Sequence, residues 1–430
     1  MKVKTAYILS VNDPLEHNFT LYNKAIFVGE TISVVESNPK WNASVYDVAV
    51  QKISVSDLIT AFLKQPDVIL FYLEVNQVKI GYRIAEFAKK ICPETRILVY
   101  GLATTFIPQY FLRSPFDAVH ISGDREAAIT DYLRFIDGEL TADQLAGVSM
   151  VAANGQIIQG KPGRWLKPKD WPVPSVAKLP VQDYLNFQKG RKSVVDCGLE
   201  LAITATKGCV TKCNFCGCSE EEGLLDRTRQ PETVIAWAEE YGGGKEDTIH
   251  LYSPNILSKP SWVEKFSLTY REYGATFKWQ GVTRTNTITP ATLPLAAQAG
   301  CVKLSIGIEH IDSRREKPLK SSIRQLEIAA ALCNEYHVDL VGLLMLGHPG
   351  QTIDDVRYII RLLHRLNITN YRFTGYTPLH NLRAMSVEEL DGEMLEAYDR
   401  RTYYMQGRCA IPAADFYNIL ITNGKCLGAV

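Results

Sequence analysis

Residues 207–216 read Lys207-Gly208-Cys209-Val210-Thr211-Lys212-Cys213-Asn214-Phe215-Cys216 and follow directly on a strand-like apolar run. Three cysteines are therefore separated by three and then two residues. A loop at the end of a strand lets three side chains converge, and three soft thiolates can bind three irons of a [4Fe–4S] cluster, leaving the fourth iron open to another ligand. The spacing predicts a cluster bound by Cys209, Cys213 and Cys216.

Two other uses of these cysteines compete with that prediction. A structural zinc site would take the same three with Cys218, but such sites usually pair two separated Cys/His knuckles, and the sequence offers no second knuckle. Cys218 would also complete a four-cysteine electron-transfer cluster, although such a cluster does not need a long strand and helix repeat around it. The chain has ten cysteines, and scattered ones such as Cys333 are expected to be small buried hydrophobes.

Length and composition limit the classes of protein that remain. At 430 residues the chain is expected to form two or three domains. Hydrophobic residues make up 46% and charged residues 22%, which excludes disorder and coiled coil. The 47 basic and 47 acidic side chains cancel, so no long-range field recruits nucleic acid or anionic lipid. No apolar run reaches the roughly 20 residues that cross a bilayer, and no signal-peptide cleavage region is seen, so a cytoplasmic protein is expected.

Strand-like and helix-like segments alternate through residues 1–145, which is typical of βαβ units around a parallel sheet. Strands are predicted at residues 6–11, 45–50, 67–73, 96–100 and 118–122, and helices at 56–64, 82–91 and 125–136. We therefore expect an α/β fold whose N-terminal domain, residues 1–145, is Rossmann-like (flavodoxin-like). Ligands of such sheets bind at the carboxyl ends of the strands, where the loops here carry small, hydroxyl and amide residues. An ordinary flavodoxin-like domain remains the alternative.

Residues 146–190 combine a hairpin that turns at Asn154-Gly155 with an extended linker. The linker is predicted from five prolines, which stop both helices and sheets: Pro162, Pro168, Pro172, Pro174 and Pro180. Residues 191–385 then repeat six βα units, predicting a partial or complete barrel. Their strands are expected at residues 200–206, 248–252, 277–282, 302–308, 338–346 and 371–376. The remaining residues, 386–430, are predicted to form a C-terminal extension.

The cysteine loop, with an aromatic residue before its last cysteine, resembles the radical S-adenosylmethionine (SAM) superfamily. Later landmarks agree in order, namely Gly300–Glu309, Met345–Thr352 and Tyr376–Pro378, which resemble the fourth-strand, fifth-strand and sixth-strand ends of that family. The preceding domain resembles the cobalamin-binding domain of its cobalamin-dependent (class B) methyltransferases. The resemblance implies a cobalamin-binding Rossmann-like domain followed by a partial (β/α)6 radical SAM barrel, with a [4Fe–4S] cluster, S-adenosylmethionine and cobalamin as cofactors.

The resemblance also implies roles for individual residues. In the family, the open iron binds the amino and carboxylate groups of S-adenosylmethionine, and reductive cleavage yields a 5′-deoxyadenosyl radical. The implied S-adenosylmethionine contacts are Phe215, Tyr252, Ser253, Asn255, Arg284, Glu309 and Gly347. Residues 252–255 depart from the usual Gly-Gly-Glu of the amino-group contact. Arg284 would pair with the carboxylate, Glu309 would accept from the ribose hydroxyls, and Gly347 would let backbone approach the adenine.

Cobalamin would lie on the loops that follow the N-terminal strands. The implied contacts are Asn12, Asp13, Glu74, Val75, Asn76, Gln77, Gly101, Leu102, Ala103, Thr104, Ser122, Gly123 and Asp124. The Asp-x-His-x-x-Gly signature, whose histidine is the lower cobalt ligand of other cobalamin enzymes, is absent, and His17 does not have its spacing. Family members commonly lack this ligand too, so base-off cobalamin is expected.

The function that follows from the resemblance is methyl transfer from methylcobalamin to an unactivated carbon, or to phosphorus, of a small metabolite or peptide. An electron donor such as flavodoxin or ferredoxin is implied. A non-methylating cyclisation or rearrangement on the same cofactors is the alternative. A methylthiotransferase would need three more cysteines in the N-terminal domain, where Cys92 stands alone before Cys197. A mere carrier or electron-transfer protein would not need the elaborate strand-end loops of the second half.

Overall fold

The computed structural model describes residues 3–11, 19–48, 50–152, 154–184, 200–241, 248–314, 317–318, 320, 322–392, 403–404 and 407–427. The strands are β1 (Lys4–Ser10), β2 (Trp41–Asp47), β3 (Val68–Tyr72), β4 (Arg96–Tyr100), β5 (Ala118–His120), β6 (Val148–Val151), β7 (Ile157–Ile158), β8 (Glu200–Thr204), β9 (Thr206–Lys207), β10 (Arg227–Thr228), β11 (Thr248–Tyr252), β12 (Lys278–Thr283), β13 (Cys301–Glu309), β14 (Ile311–Asp312), β15 (Lys317–Pro318), β16 (Asp339–Leu346) and β17 (Asn370–Gly375). The helices are α1 (Phe19–Glu36), α2 (Val55–Phe62), α3 (Val78–Ile91), α4 (Leu102–Phe106), α5 (Pro108–Phe111), α6 (Arg125–Ile136), α7 (Cys218–Glu222), α8 (Pro231–Tyr241), α9 (Pro260–Glu272), α10 (Leu293–Gln298), α11 (Ile323–Glu335), α12 (Ile353–Arg365), α13 (Leu379–Leu382), α14 (Val387–Gly392) and α15 (Ala413–Thr422).

The first sheet has the strand order β2-β1-β3-β4-β5-β6-β7. Strands β1 to β5 run parallel, and β6 and β7 add an antiparallel edge. The order 2-1-3-4-5 is that of flavodoxin-like doubly wound sheets, so the predicted class of the N-terminal domain is confirmed. The hairpin predicted at Asn154-Gly155 is confirmed as well, since β6 and β7 pair across it.

Helix α1 is the one long element of the first sheet's layers that the sequence reading missed. From Ile26 to Val35 the helix is buried almost without interruption, Ser33 being the exception. A helix that is covered on all sides carries no apolar stripe, so the 3.6-residue periodicity that marks a surface helix is missing. Strand β2 also lies earlier than predicted, because the segment after Asp47 turns back and Val50 donates its N–H to the Asp47 carboxylate at 3.2 Å.

The second sheet has the strand order β8-β11-β12-β13-β16-β17, and all its strands run parallel in sequence order. Among the described strands, β8 and β17 lie at opposite edges of this sheet and do not pair, so the six strands make a partial barrel, as predicted. The capping box expected at Thr352 is present, because Thr352 and Asp355 exchange side-chain to backbone hydrogen bonds at the start of α12.

The C-terminal extension protects the open edge of the second sheet. Asn423 adopts the left-handed conformation (φ 51°), which asparagine tolerates better than most residues. Its side-chain oxygen accepts from the Phe373 N–H at 3.0 Å, and its amide nitrogen donates to the Tyr371 carbonyl at 2.6 Å. One side chain thus pairs the free backbone groups of β17, which would otherwise be a template for aggregation.

Two compact units divide the chain discontinuously. The first contains Met1–Arg191, Gly208–Arg227 and Pro378–Tyr398, and the second contains Lys192–Lys207, Thr228–Thr377 and Asp399–Val430. The cysteine loop therefore belongs with the flavodoxin-like sheet, while the six-stranded sheet forms the other unit. The boundaries predicted near residues 145, 190 and 385 stay predictions. Among the described helices, none has the length and apolar character that spanning a membrane requires.

Candidate functional site

The cysteine loop is folded back on itself by hydrogen bonds from its own backbone. The Cys209 N–H donates to the Gly223 carbonyl at 3.0 Å, and the Gly208 N–H donates to the Glu222 carboxylate at 3.1 Å. Cys209, Cys213 and Cys216 form no disulfide, and each is partly exposed. Within the described residues, no three Cys, His, Asp or Glu side chains are already arranged to hold a metal ion. The three cysteines share a loop, and their role as iron ligands remains a prediction.

The surroundings of Cys218 differ from those of the other three cysteines. It opens α7, and its Sγ is 3.8 Å from Glu222 Oε2. Burial raises the pKa of the Cys218 thiol well above its usual range, and the Glu222 carboxylate and the neighbouring thiols add to the effect. Phe215, the aromatic residue before the last cysteine of the motif, is partly exposed.

Gly217 brings the cysteine loop against the loop that follows β4. A Cβ atom at this position would fall 2.7 Å from the Phe106 ring and 3.5 Å from the Leu102 side chain, so any larger residue would displace the loop. Leu102 is one of the predicted cobalamin contacts. The residue after the third cysteine is thus in direct contact with α4, at the carboxyl edge of the first sheet.

Two ion pairs fix the segment that follows the cysteines to the loop after β5. Arg227 makes a bidentate pair with Asp124, with an Nη2 to Oδ1 distance of 2.9 Å. Its guanidinium lies 5.2 Å from the centre of the Trp165 ring and 5.4 Å from that of Trp171. Planar pairs of this kind give both strength and a fixed direction. Both Asp124 oxygens are engaged by this chain's own donors, one of them also by the Leu166 N–H at 2.7 Å. Asp124 therefore holds the loop in place.

Arg125, the next residue, makes the second pair. Its Nη1 is 3.4 Å from Glu221 in α7, its Nε is 3.1 Å from Glu126, and its guanidinium lies 3.6 Å from the centre of the Phe27 ring. Burial alone would lower the Arg125 pKa, but the carboxylates of Glu126, Glu221 and Glu30 raise it well above its usual value. A permanent, almost fully buried cation thus joins the cysteine segment to the flavodoxin-like sheet.

The predicted cobalamin loops lie at that same edge, and most of their side chains are buried. Glu74 accepts from the Tyr72 hydroxyl at 2.6 Å, and Val75 and Gln77 are 2% exposed or less. Asn76 is the member of this loop that is partly exposed. Asn12 and Asp13 lie outside the described residues.

The loops after β4 and β5 are held mainly by their own backbones. Gly101 has a φ of 121°, and a Cβ there would fall 2.6 Å from the Leu73 carbonyl oxygen. Thr104 donates its hydroxyl to the Gly101 carbonyl at 3.0 Å and, like Ala103, is fully buried. The Ser122 hydroxyl accepts from the Gly163 N–H at 3.0 Å, so the proline-containing linker packs against Ser122 and Gly123 at this point. Contacts from these loops to a ligand would come largely from backbone.

In the second unit, Ser253 and Asn255 form a hydrogen-bonded turn after β11. Ser253 shares a hydrogen bond with Thr206 and accepts from the Asn255 N–H at 3.0 Å. The Asn255 side-chain oxygen accepts from the Thr283 hydroxyl at 2.8 Å and from the Arg284 N–H at 3.2 Å. Asn255 therefore orients the end of β12, where Arg284 stands partly exposed, as Tyr252 does at the end of β11.

Glu309 ends β13 in a conformation that few residues adopt. Its φ is 68°, the β13–β16 register shifts between Gly307 and Glu309, and its Oε1 is 2.6 Å from Lys320 Nζ. Backbone strain at non-glycine residues clusters at active sites and ligand-binding sites, where the surrounding structure holds it. Glu309, the ribose contact that the resemblance implies, therefore has the backbone strain that is common at ligand-binding sites.

Three aromatic residues after β13, β16 and β17 were not predicted as site residues, although two of them, His348 and Tyr376, lie in the sequence landmarks. The rings of His310 and His348 stack with centroids 5.1 Å apart and an interplanar angle of 17°, and Tyr376 packs on His348 at 5.2 Å. Gln351, fully buried, connects His310 to the turn at Gly347. Gly347 itself packs on Phe416, where a Cβ would come within 2.9 Å of the ring. No motif marks His310, but its place after Glu309 at a strand end was a usable signal.

Comparisons with known proteins agree with this architecture. Residues 203–363 match the Radical SAM superfamily model. The chain therefore carries a radical SAM domain, and its flavodoxin-like sheet together with that domain gives it the fold of the cobalamin-dependent radical SAM enzymes. The resemblance, the fold class and the presence of a radical SAM enzyme domain are confirmed.

One protein of similar sequence and two of similar structure agree with this fold. A protein of Pyrococcus horikoshii named "Uncharacterized methyltransferase PH0819" is 23% identical over 352 residues, covering 80% of this chain and 74% of the relative. The methyltransferase TsrM from Kitasatospora setae, with cobalamin and a [4Fe–4S] cluster bound, superposes with a TM-score of 0.69 at 15% identity, covering 88% of this chain and 74% of TsrM. OxsB with aqua-cobalamin and S-adenosylmethionine bound gives 0.69 at 16% identity, covering 96% of this chain and 58% of OxsB.

Proposed function

We propose that this protein is a cobalamin-dependent radical SAM methyltransferase that transfers a methyl group from methylcobalamin to an unactivated carbon, or to phosphorus, of a small metabolite or peptide. The observation that carries the proposal is the direct packing of the cysteine loop on the carboxyl edge of the flavodoxin-like sheet, through Gly217, Arg227 and Glu221. An iron–sulfur cluster and a corrinoid would then share one compact unit.

The residues present fit the three cofactors. Three thiols on one loop are the soft donors that iron requires, and none of them is lost to a disulfide. The sheet edge beside them offers Asn76 as a partly exposed amide. The strained Glu309 places a carboxylate at the strand end where the family binds a ribose. When bound, these cofactors supply a carbon-centred radical and a methyl donor, chemistry that no side chain provides.

The chain's own residues would bind these cofactors and fix their positions. Cys209, Cys213 and Cys216 would hold the irons, while Arg125 and Arg227 keep the cysteine segment fixed against the corrinoid-binding edge. Arg284 would pair with the carboxylate of S-adenosylmethionine. Reducing equivalents would come from a flavodoxin or ferredoxin. TsrM has been solved with tryptophan as substrate, and a small planar metabolite of that kind is one substrate class to test first.

Anaerobic reconstitution tests the proposal. The protein should take up about four irons and one corrinoid per chain, and with reductant and S-adenosylmethionine it should release 5′-deoxyadenosine. A product that gains one methylene unit by mass would establish methyl transfer. Absence of corrinoid uptake would rule the proposal out.

A non-methylating cyclisation or rearrangement on the same cofactors is the second candidate, because the structural match OxsB is described as a cobalamin-dependent S-adenosylmethionine radical enzyme and not as a methyltransferase. It predicts 5′-deoxyadenosine release with a product of unchanged methyl content. Isotope label in the methyl group of S-adenosylmethionine distinguishes the two reactions, because only the methyltransferase moves that label into the product.

A further inference from the structure

The orientation of the Gln351 side chain is fixed by its neighbours. Gln351 is fully buried, and its Oε1 accepts from the Gly347 N–H at 2.7 Å. Its Nε2 donates to the Met345 carbonyl at 3.1 Å. A backbone N–H can only donate and a carbonyl can only accept, so the two ends of the carboxamide cannot be exchanged.

This orientation determines where His310 carries its proton. The Gln351 amide nitrogen also lies 3.2 Å from His310 Nδ1, and an NH₂ group needs an acceptor there. His310 Nδ1 must therefore be the unprotonated nitrogen of a neutral ring, and Nε2 must bear the hydrogen. The groups that face the ring are the stacked His348 and, further away, Asp312 and Asp355. The Asp355 carboxylate is already occupied by Ser313 and Thr352.

Two polar atoms at the end of β13 remain open to a ligand. In the part of the chain that the structure describes, His310 Nε2 makes no hydrogen bond. This nitrogen is not completely buried, so a ligand can reach it. The same holds for Oε2 of Glu309, whose other oxygen takes Lys320. Consecutive residues thus offer one accessible acceptor and one accessible donor.

We propose that His310 is a ligand-binding residue for S-adenosylmethionine, donating from Nε2 to a ribose hydroxyl oxygen whose neighbour donates to Glu309. Gln351 is the positioning residue that holds the required tautomer. A vicinal diol presents both lone pairs and O–H groups, which is the complement of a donor beside an acceptor. The inference rests on the proposed function, because it assigns a new residue to the same cofactor site.

The tautomer is tested without any cofactor. Protein labelled with ¹⁵N-histidine, still lacking iron, is examined by long-range ¹H–¹⁵N NMR at neutral pH, and His310 is assigned from its loss in His310→Gln. The expected spectrum has the proton on Nε2. Gln351→Glu places a carboxylate beside Nδ1, which should draw a second proton onto the ring. A ring protonated on Nδ1 alone in the parent protein would overturn the inference.

Ligand binding is tested with S-adenosylhomocysteine, which is not cleaved, on cluster-reconstituted protein by calorimetry. His310→Phe removes the donor and should weaken binding about threefold to tenfold, the usual worth of one hydrogen bond. His310→Gln, whose amide nitrogen can donate from a similar place, should restore most of the affinity. The exposed His364→Gln is the matched control and should bind as the parent does.

The 2′-deoxy and 3′-deoxy analogues of the ligand locate the contact. One of the two should bind the parent protein more weakly, and His310→Phe should lose little further affinity for that analogue. Equal affinity of the parent and His310→Phe for S-adenosylhomocysteine would overturn the inference while leaving the proposed function intact. Failure of the parent protein to bind the ligand at all would overturn both, and the tautomer experiment would still report on Gln351.

Discussion

At the scale of single residues, the cysteines separate by their surroundings. Cys333 and Cys301 are buried, whereas Cys209, Cys213 and Cys216 are partly exposed on one loop. Soft thiolates that must reach a metal need such exposure, while inert structural cysteines do not. The distinction follows from local chemistry, and it gives the cluster assignment a direct test.

Cys213→Ala should abolish release of 5′-deoxyadenosine and lower the iron content of reconstituted protein, because two thiolates cannot hold a site-differentiated cluster. Corrinoid binding should persist, since the loops after β3 and β4 are unchanged. Iron analysis, product chromatography and the corrinoid absorption spectrum measure the three quantities. Cys426→Ala, which alters an exposed thiol, is the control and should retain all of them. Cleavage that survived in Cys213→Ala would exclude the assigned ligands.

His120 gives the clearest dependence of stability on pH. It ends β5, and its Nε2 lies 3.1 Å and 3.2 Å from the carbonyls of Ser122 and Gly123, so this nitrogen carries the proton. Burial, and next the Arg125 cation, lower the His120 pKa to about 4, while Glu126 opposes the shift. The folded chain therefore keeps His120 neutral under conditions in which the unfolded chain binds a proton.

Because the folded pKa lies below the unfolded value of about 6.5, stability should be full above pH 6.5 and be lost as the pH falls toward 4. The loss attributable to His120 is about 3 kcal/mol. Chemical denaturation at several pH values measures it. His120→Gln, which keeps a donor for the two carbonyls, should flatten this part of the profile. An unchanged pH dependence in that variant would show that other groups cause it.

At the scale of elements, the α7 segment is attached by buried charge. Glu221→Gln weakens the pair with Arg125 and should destabilise the protein by about 1–3 kcal/mol, since it leaves a buried cation less well compensated. The double-mutant cycle of Glu221→Gln with Arg125→Met should give a coupling energy of the same order. Glu220→Gln is the control on the same helix, because the Glu220 carboxylate lies 4.0 Å from the His380 ring and not beside a buried guanidinium, so the loss should stay below about 1 kcal/mol. Additive single changes would contradict a direct pair.

The same elements show how far the sequence alone reaches. Strands such as β3 and β11 were predicted well because a continuous apolar run or a short alternation marks them. Helix α1 could not be predicted that way, since burial on all sides erases its periodicity. The cysteine motif predicted Cys209, Cys213 and Cys216 as iron ligands, and this assignment stays a prediction. Arg125 and Gln351 carry no such signal, because their roles arise from partners 40 or more positions away that only the fold brings near. For His310 the sequence signal was its place after Glu309 at a strand end.

At the scale of the whole molecule, the two units do not follow the order of the chain. The first unit takes its sheet from the N-terminus but also contains Gly208–Arg227 and Pro378–Tyr398. Arg113 pairs with Asp391 at 3.1 Å, and Gln109 donates to the Met385 carbonyl at 3.1 Å, so the third segment is attached by specific contacts. A ligand of the flavodoxin-like sheet should therefore stabilise three separate stretches of sequence together.

Hydrogen exchange with mass spectrometry tests this arrangement. Hydroxocobalamin in excess over its dissociation constant should slow exchange in residues 68–136, in 208–227 and in 378–392, with a stabilisation of about 2–3 kcal/mol at a hundredfold excess. Strands β13 and β16 of the second unit should exchange as before, because they belong to a separately packed core. Gly217→Leu, which places a side chain where the Phe106 ring stands, should uncouple the cysteine segment and confine protection to the first stretch. Protection of residues 68–136 alone in the unaltered protein would mean that the cysteine loop and the corrinoid-binding edge act independently, against the packing on which the proposed function depends.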